Sequence, residues 1–190
     1  MPRINTIKYL TQHEVRHLFG AITSKRDRAL FRVAYYHGLR PSEVGMVQAP
    51  HVSLDRARIW VNRLKNGKAG EYPMPPNEVM ALKAWMKEHN QFIIWLFYGQ
   101  HGAPISRRTL HYLMNKYGEK AGIPQDKRHF HVLRHSIATH LMDAGADIRF
   151  VQEWLGHRKM ENTAVYAQIS NPARDKQATR FFSTGMIVGV

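Results

Sequence analysis

The chain has 190 residues, 44% apolar and 11% aromatic, which is enough for the core of one domain and too apolar for intrinsic disorder. Lysines and arginines number 28 against 14 acids, and a net charge of +14 exceeds what solubility needs, so a polyanionic partner is expected, nucleic acid ahead of an anionic membrane or a ribosome-like assembly. The absence of cysteine excludes disulfides and thiolate zinc sites, and there is neither an apolar signal core in MPRINTIKYL nor a run of the ~20 apolar residues a membrane span needs.

In chain order, Thr11 with Glu14 three residues on makes a capping box and predicts a helix to about Ile22. Ser24 caps a second helix, SKRDRALFRVAYYHG, with Leu30, Phe31, Val33, Ala34 and Tyr35 on its core face and Gly38 as its stop. Pro41, followed by Ser42 and Glu43, opens a short helix ending near Val47. From His51 to Met74 the period changes, and HVSLD, ARIWVNR and EYPMP predict a three-stranded antiparallel meander with Lys65 and Lys68 at a hairpin tip. Pro75 and Pro76 open a helix, NEVMALKAWMKEH, with Val79, Leu82, Trp85 and Met86 on one side. The run QFIIWLF is expected to be buried, as helix or strand.

Ser106 caps RRTLHYLMNKYGEKAG, which is basic on one face. After Pro124, a helix over about 131–144 stops at Gly145, and Asp147 caps IRFVQEWL, which Gly156 terminates. Asn162 or Thr163 starts a helix carrying Tyr166, and a last helix over about 172–182 leads into the apolar tail STGMIVGV. With no internal repeat and no Gly/Ser linker, the expectation is one mainly α-helical α+β domain with a small three-stranded sheet.

Three constellations invite chemistry. HEVRH, residues 13–17, matches H-E-x-x-H, but Glu14 is already the capping-box partner of Thr11, which disfavours a metalloprotease. His129, His131, His135 and His140 cluster with few carboxylates nearby, so polar and packing roles are expected rather than a metal site. The third is the convergence over 131–166. Arg134 lies one turn from His131 on one helix face, His157 follows a helix-ending glycine, and Tyr166 comes soon after. An arginine that grips phosphate oxygens, histidines that donate or move protons and a tyrosine that attacks suit a phosphoryl-transfer site.

These residues resemble the tyrosine recombinases, which include phage-type integrases, Xer-type resolvases and fimbrial phase-variation recombinases. His131-Val-Leu-Arg134-His135, Leu155-Gly156-His157 and Tyr166 resemble the family's H-x-L-R-H, L-G-H and Y. Upstream, the GLRPSE of residues 38–43 resembles its first-arginine motif, and Lys65 in RLKNG its hairpin lysine, at a family-like interval before Pro73. The GAD-x-R-x-V-Q run before His157, Leu96-Phe97 and the AGIP of 121–124 fit as well, so the resemblance covers about residues 6–175. Phe130 departs from it, standing where many members have proline. The N-terminal helical domain of most members has no counterpart here, as in compact fimbrial-type members, and Met1 before a capped segment favours a naturally minimal enzyme over an excised domain.

The resemblance implies a catalytic domain over 1–175, and strand cleavage and rejoining through a 3′-phosphotyrosine on Tyr166, for integration, excision or inversion. Arg40 and Arg134 would hold the non-bridging oxygens, Lys65 would protonate the leaving 5′-oxygen with Lys68 as competitor, His131 would assist proton transfer and His157 would donate to phosphate. Glu43 either orients Arg40 or makes a surface salt bridge; His135 is expected to pack or support rather than catalyse. Neither ATP, metal nor other cofactor is implied. Double-stranded DNA would be gripped through phosphates by Arg63, Lys68, Arg107, Arg108, Lys116, Lys127, Arg128 and Arg158, with Arg26 and Arg28, and bases read by the Ser106 helix. The C-terminal helix end and apolar tail, 176–190, are expected to pack on their own core or to exchange between protomers of a homotetramer on DNA. A cytoplasmic, nucleoid-associated protein is expected. A type IB topoisomerase and a catalytically silent DNA-binding regulator are the alternatives.

Overall fold

Helix starts follow the capping residues. In the computed structural model, which describes residues 7–64 and 67–167, α1 (Gln12–Ala21) begins with both bonds of its capping box. The Glu14 N–H donates to Thr11 Oγ1 (3.2 Å) and the Thr11 N–H to Glu14 Oε2 (2.7 Å). Ser24, Ser106 and Asp147 likewise accept a first-turn N–H at the starts of α2 (Lys25–Tyr36), α5 (Arg107–Lys120) and α7 (Ile148–Leu155). The short helix α3 (Pro41–Val44) has Pro41 at its first position and stops earlier than Val47.

Between α3 and α4 (Pro76–Met86) lies an antiparallel sheet of β1 (Val52–Ser53), β2 (Arg58–Val61) and β3 (Gly70–Pro73), in the order β1-β2-β3. Ile59 pairs with Tyr72 and Val61 with Gly70; Ile59 and Val61 face inward while Arg58 and Trp60 face out. The chain ends its described course in α6 (Val132–Asp143), α7 and α8 (Glu161–Ala167). Mainly helical with a three-stranded sheet, the fold is as expected from the sequence. Among the described residues no helix is long and apolar enough to cross a membrane.

Helix α2 forms the centre of the core. It packs against α4 and α6, and its Phe31 meets Tyr117 (5.8 Å) and Phe130 (5.4 Å) edge to face. Phe130 thereby contributes an aromatic ring to the core from the turn that leads into α6. Its C-terminus turns at Gly38, φ +56°, where a Cβ would collide with Leu155 Cδ2 and lie 3.3 Å from Ile137 Cγ2. Only glycine lets the end of α2 come this close to α6 and α7, and that junction lies beneath the site described below.

One expectation is corrected. The run QFIIWLF is not a buried element; it forms no helix or strand, and Phe92 is 89% and Ile94 51% exposed. Its backbone pairs with the loop after α3, through Ala49 N–H to the Ile94 carbonyl (2.8 Å) and Leu96 N–H to the Val47 carbonyl (2.9 Å). That register carries Leu96 and Phe97 into the core and leaves the earlier residues outside. Lys65, the helix expected over 172–182 and the apolar tail lie outside the described residues. The corrected register makes a measurable distinction: Phe97→Ala costs about 3–5 kcal/mol in denaturant unfolding, whereas Phe92→Ala stays within about 0.5 kcal/mol of the parent.

Candidate active site

The site is built on Glu43. As third residue of α3 it turns back to the start of its own helix, where Oε2 accepts the Arg40 N–H (2.9 Å) and Oε1 the Arg40 Nη1 donor (2.6 Å). Oε1 also accepts the Leu64 N–H (3.0 Å), at the root of the β2–β3 hairpin, and Oε2 an Arg63 Nη1 donor (3.4 Å). Arg134 Nη1 lies 4.0 Å from Oε2. Burial pushes this carboxyl's pKa up, but the two backbone donors and the arginine charges outweigh it and hold the group below its usual range. Of the two readings left open for Glu43, a surface salt bridge is ruled out: the residue is 1% exposed.

Arg134, in the first turn of α6, is buried as deeply. Two of its five N–H donors are fixed on backbone carbonyls, Nη1 on Gly38 and Nη2 on Leu155 (2.9 Å). Burial, with Arg40 and Arg63 alongside, brings its pKa down to about 9, still a cation at neutral pH. Helix α7 ends at Gly156, φ +64°, and the His157 N–H returns to the Gln152 carbonyl (2.9 Å), so the cap fixes where His157 starts. His157 Nδ1 pairs with Thr163 Oγ1 of α8 (2.8 Å), which directs Nε2 as the nitrogen for a ligand.

Tyr166 is 3% exposed. Its hydroxyl lies 2.8 Å from His135 Nδ1, and its ring is parallel to that of His157 (6.5 Å, 2°). Burial raises its pKa; the charges of Arg134 and Arg40 pull it back. The His131 and His135 rings meet edge to face at 4.6 Å. Burial first, and then the neighbouring cations and histidines, lower His131 and His157 to about 3 and His135 to about 4. All three are neutral at pH 7, so His135 is able to accept from the tyrosine hydroxyl.

The expected residues thus come together from three stretches of chain: Arg40 and Glu43; His131, Arg134 and His135; His157 and Tyr166. Beside them, a groove of about 1100 Å³ runs between the hairpin and α7, with Lys68, Arg149, His157 and Arg158 among its walls. Of the expected phosphate-contacting residues, Lys68, Arg107, Arg108, Lys116 and Arg158 are exposed. Lys127 is tied to Glu14 (2.8 Å) and Arg128 Nε to the Ile123 carbonyl (2.7 Å), so both are partly committed inside the fold. Arg63 is a correction. Its side chain is fully buried and turned inward, because it continues the inward alternation of Ile59 and Val61 along β2. That period is the available signal, and it sets Arg63 apart from a surface cation. Thr163 and the Gly38 and Leu155 carbonyls, the partners of His157 and Arg134, had no such signal, since they are set by tertiary contact. Among the described residues no three histidines or acids come together as a metal site.

The depressed histidines set a pH dependence. Each takes up its proton near pH 6.5 when unfolded but only near pH 3–4 when folded, so stability is complete above about 6.5 and falls as pH drops. Unfolding free energy is expected to decrease by on the order of 1–2 kcal/mol per histidine between pH 7 and pH 5. In His131→Asn the slope of stability against pH over that range is shallower than in the parent.

The family model for the phage integrase family matches residues 8–172. Tyrosine recombinase XerA of Thermococcus onnurineus (strain NA1) is 35% identical over 168 residues, 86% of this chain and 58% of the relative. Type 1 fimbriae regulatory protein FimE of Escherichia coli (strain K12) is 33% identical over 179 residues, 88% of each chain. A crystal structure of XerA recombinase superimposes with a TM-score of 0.81 at 29% identity, covering 93% of this chain and 65% of that one. The chain therefore spans little more than half of XerA but most of FimE. A family match over nearly the whole described length, on a fold that gathers the residues just described, means that the chain belongs to the phage integrase family, the tyrosine recombinases.

Proposed function

We propose that this chain is a site-specific recombinase that cleaves and rejoins double-stranded DNA by transesterification, serving integration, excision or inversion. The observation that carries the reading is the Tyr166 hydroxyl, held 2.8 Å from His135 Nδ1 under the charges of Arg134 and Arg40. An ordinary tyrosine, with a pKa near ~10, is a weak nucleophile and needs both a proton acceptor and positive charge beside it.

In the proposed reaction the Tyr166 oxygen attacks the scissile phosphorus and its proton passes to His135, a role beyond the packing or supporting one expected from the sequence and resting on the 2.8 Å contact between Nδ1 and the hydroxyl. The P–O5′ bond breaks, and the 5′-oxygen leaves with a proton from a hairpin lysine, Lys65 ahead of Lys68. The 3′-phosphate stays on Tyr166. Arg40 and Arg134 hold the non-bridging oxygens, each such contact being worth roughly 10²–10³ in rate. His157 donates to one of them through Nε2 while Thr163 fixes its ring, and His131 assists proton movement at the arginine end. Reversal with another strand's 5′-hydroxyl rejoins DNA, and because the phosphotyrosine keeps the phosphoester energy, no nucleotide is consumed.

Exposed Lys68, Arg107, Arg108, Lys116 and Arg158 would grip DNA phosphates, with the outer face of α5 toward the bases. Assembly as a homotetramer on DNA through the C-terminal tail, in the nucleoid of the cytoplasm, belongs to the same reading and is supported by the apolar run STGMIVGV at the end of the chain.

The test uses nicked duplexes tiled across the DNA that flanks the protein's own gene, with denaturant-resistant adducts read on gels. An adduct on a discrete duplex is expected, absent in Tyr166→Phe and slowed about 10²–10³-fold in Arg134→Gln. Binding is expected to weaken steeply between 50 and 200 mM salt. An adduct that survives Tyr166→Phe overturns the mechanism; relaxation of supercoiled plasmid lacking any discrete site favours a topoisomerase; binding with no adduct anywhere favours a silent regulator.

A further inference from the structure

We propose that Arg63 is a positioning residue for strand cleavage, one that anchors the root of the β2–β3 hairpin, and so its lysines, to the groups that hold the two site arginines. This rests on the recombinase reading above.

The guanidinium is the junction of three segments. Nη2 donates to the His37 carbonyl (2.8 Å) at the end of α2 and to the Trp154 carbonyl (2.6 Å) in the last turn of α7. Nη1 lies 3.5 Å from the Gly38 carbonyl and 3.4 Å from Glu43 Oε2. These acceptors also serve the site. Gly38 O takes Arg134 Nη1, Glu43 takes Arg40, and Trp154 immediately precedes Leu155, whose carbonyl takes Arg134 Nη2. The Tyr72 ring of β3 lies against the guanidinium carbon at 5.2 Å.

The hairpin is fastened to this junction at both ends. On the near side the Leu64 N–H donates to Glu43 Oε1 (3.0 Å). On the far side Gly67 is pressed on Arg63, since a Cβ there would lie 2.7 Å from Arg63 Cβ and 2.8 Å from the Gly156 carbonyl. At Gly156 a Cβ would stand 3.0 Å from Arg63 Cγ and 3.2 Å from its Nε, a nitrogen buried without an acceptor. An apolar side chain would fill that space without the cost of an unmet donor. What it would not supply is a planar fork aimed at two carbonyl-bearing helix ends and a carboxylate at once.

A lysine presents its ammonium on a flexible four-carbon stem. It protonates a leaving oxygen only when its root is held, and displacements near 1 Å at such sites cost about 10²-fold in rate. Arg63, with its side chain wholly buried, cannot meet DNA and acts through the hairpin.

The experiment compares single-turnover adduct formation on the duplex that the parent protein cleaves, made with the natural bridging 5′-oxygen or with sulfur in its place. A thiolate leaves without a proton, so sulfur rescues a lost or misplaced acid but not a lost phosphate-binding arginine. Arg63→Lys and Gly67→Ala are expected to slow by about 10²-fold on oxygen and to recover to within about tenfold of the parent on sulfur, as does whichever of Lys65→Ala and Lys68→Ala loses activity. Arg134→Gln remains slow on both. Equal slowing of Arg63→Lys on both substrates, or none on either, overturns the proposal. Absence of any adduct with the parent protein counts against the recombinase reading itself. A readout without DNA stands beside it: in Arg63→Met, amide exchange at Leu64 and over 67–70 accelerates while α2 and α6 keep their protection. Loss of protection across the whole chain would make the role one of folding and overturn the assignment.

Discussion

The buried carboxylate of Glu43 takes hydrogen bonds from Arg40, Arg63 and the Leu64 backbone, and Arg134 stands at its edge. Three guanidiniums so close together repel one another, and in a site this dry the repulsion is strong. A single anion at their centre makes the cluster tolerable. Even so, burial first and then the charges of Arg40 and Arg63 bring Arg134 down to about 9. A phosphate entering this field would meet charge already assembled, with Arg134 fixed by carbonyls at the ends of α2 and α7 and Arg40 by Glu43.

The glycines around Glu43 serve the same arrangement. Gly38 allows the end of α2 to lie against Leu155, so that its carbonyl reaches both Arg134 and Arg63. Gly156 ends α7 in a left-handed turn that sets His157 above the cluster and opens room for the Arg63 stem. Tyr166 closes the far side, its hydroxyl on His135 and its ring against His157. Fold and site are therefore hard to separate, because the carbonyls that terminate α2 and α7 are the ligands of the arginines.

Much of this was legible in the sequence wherever the signal is local. The capping residues Thr11, Ser24, Ser106 and Asp147, the stops at Gly38 and Gly156 and the meander of short strands follow from rules that act within a few residues. The motif residues Arg40, Arg134, His157 and Tyr166 were legible through family likeness, and the structure gathers them. What failed was set by distant partners. Arg134 bonds to Gly38 across most of the chain, and no spacing announces that. Arg63 looked like a surface cation until the inward alternation of Ile59 and Val61 was followed one step further. QFIIWLF has no periodicity, so its exposed half could not be told from its buried half. Glu43 was ambiguous because an arginine and a glutamate three apart also pair on any exposed helix.

The organising element is the Glu43 anion with the donors it accepts, rather than the side chain's shape, and Glu43→Gln keeps the shape while removing the charge and the acceptor capacity of one oxygen. The direct measurement is the single-turnover rate of covalent DNA adduct formation by Glu43→Gln, with folding verified by circular dichroism. A folded variant slowed at least as much as Arg134→Gln, about 10²-fold or more, is the predicted result. A folded variant that forms the adduct at the parent rate would contradict an organising role for the Glu43 carboxylate.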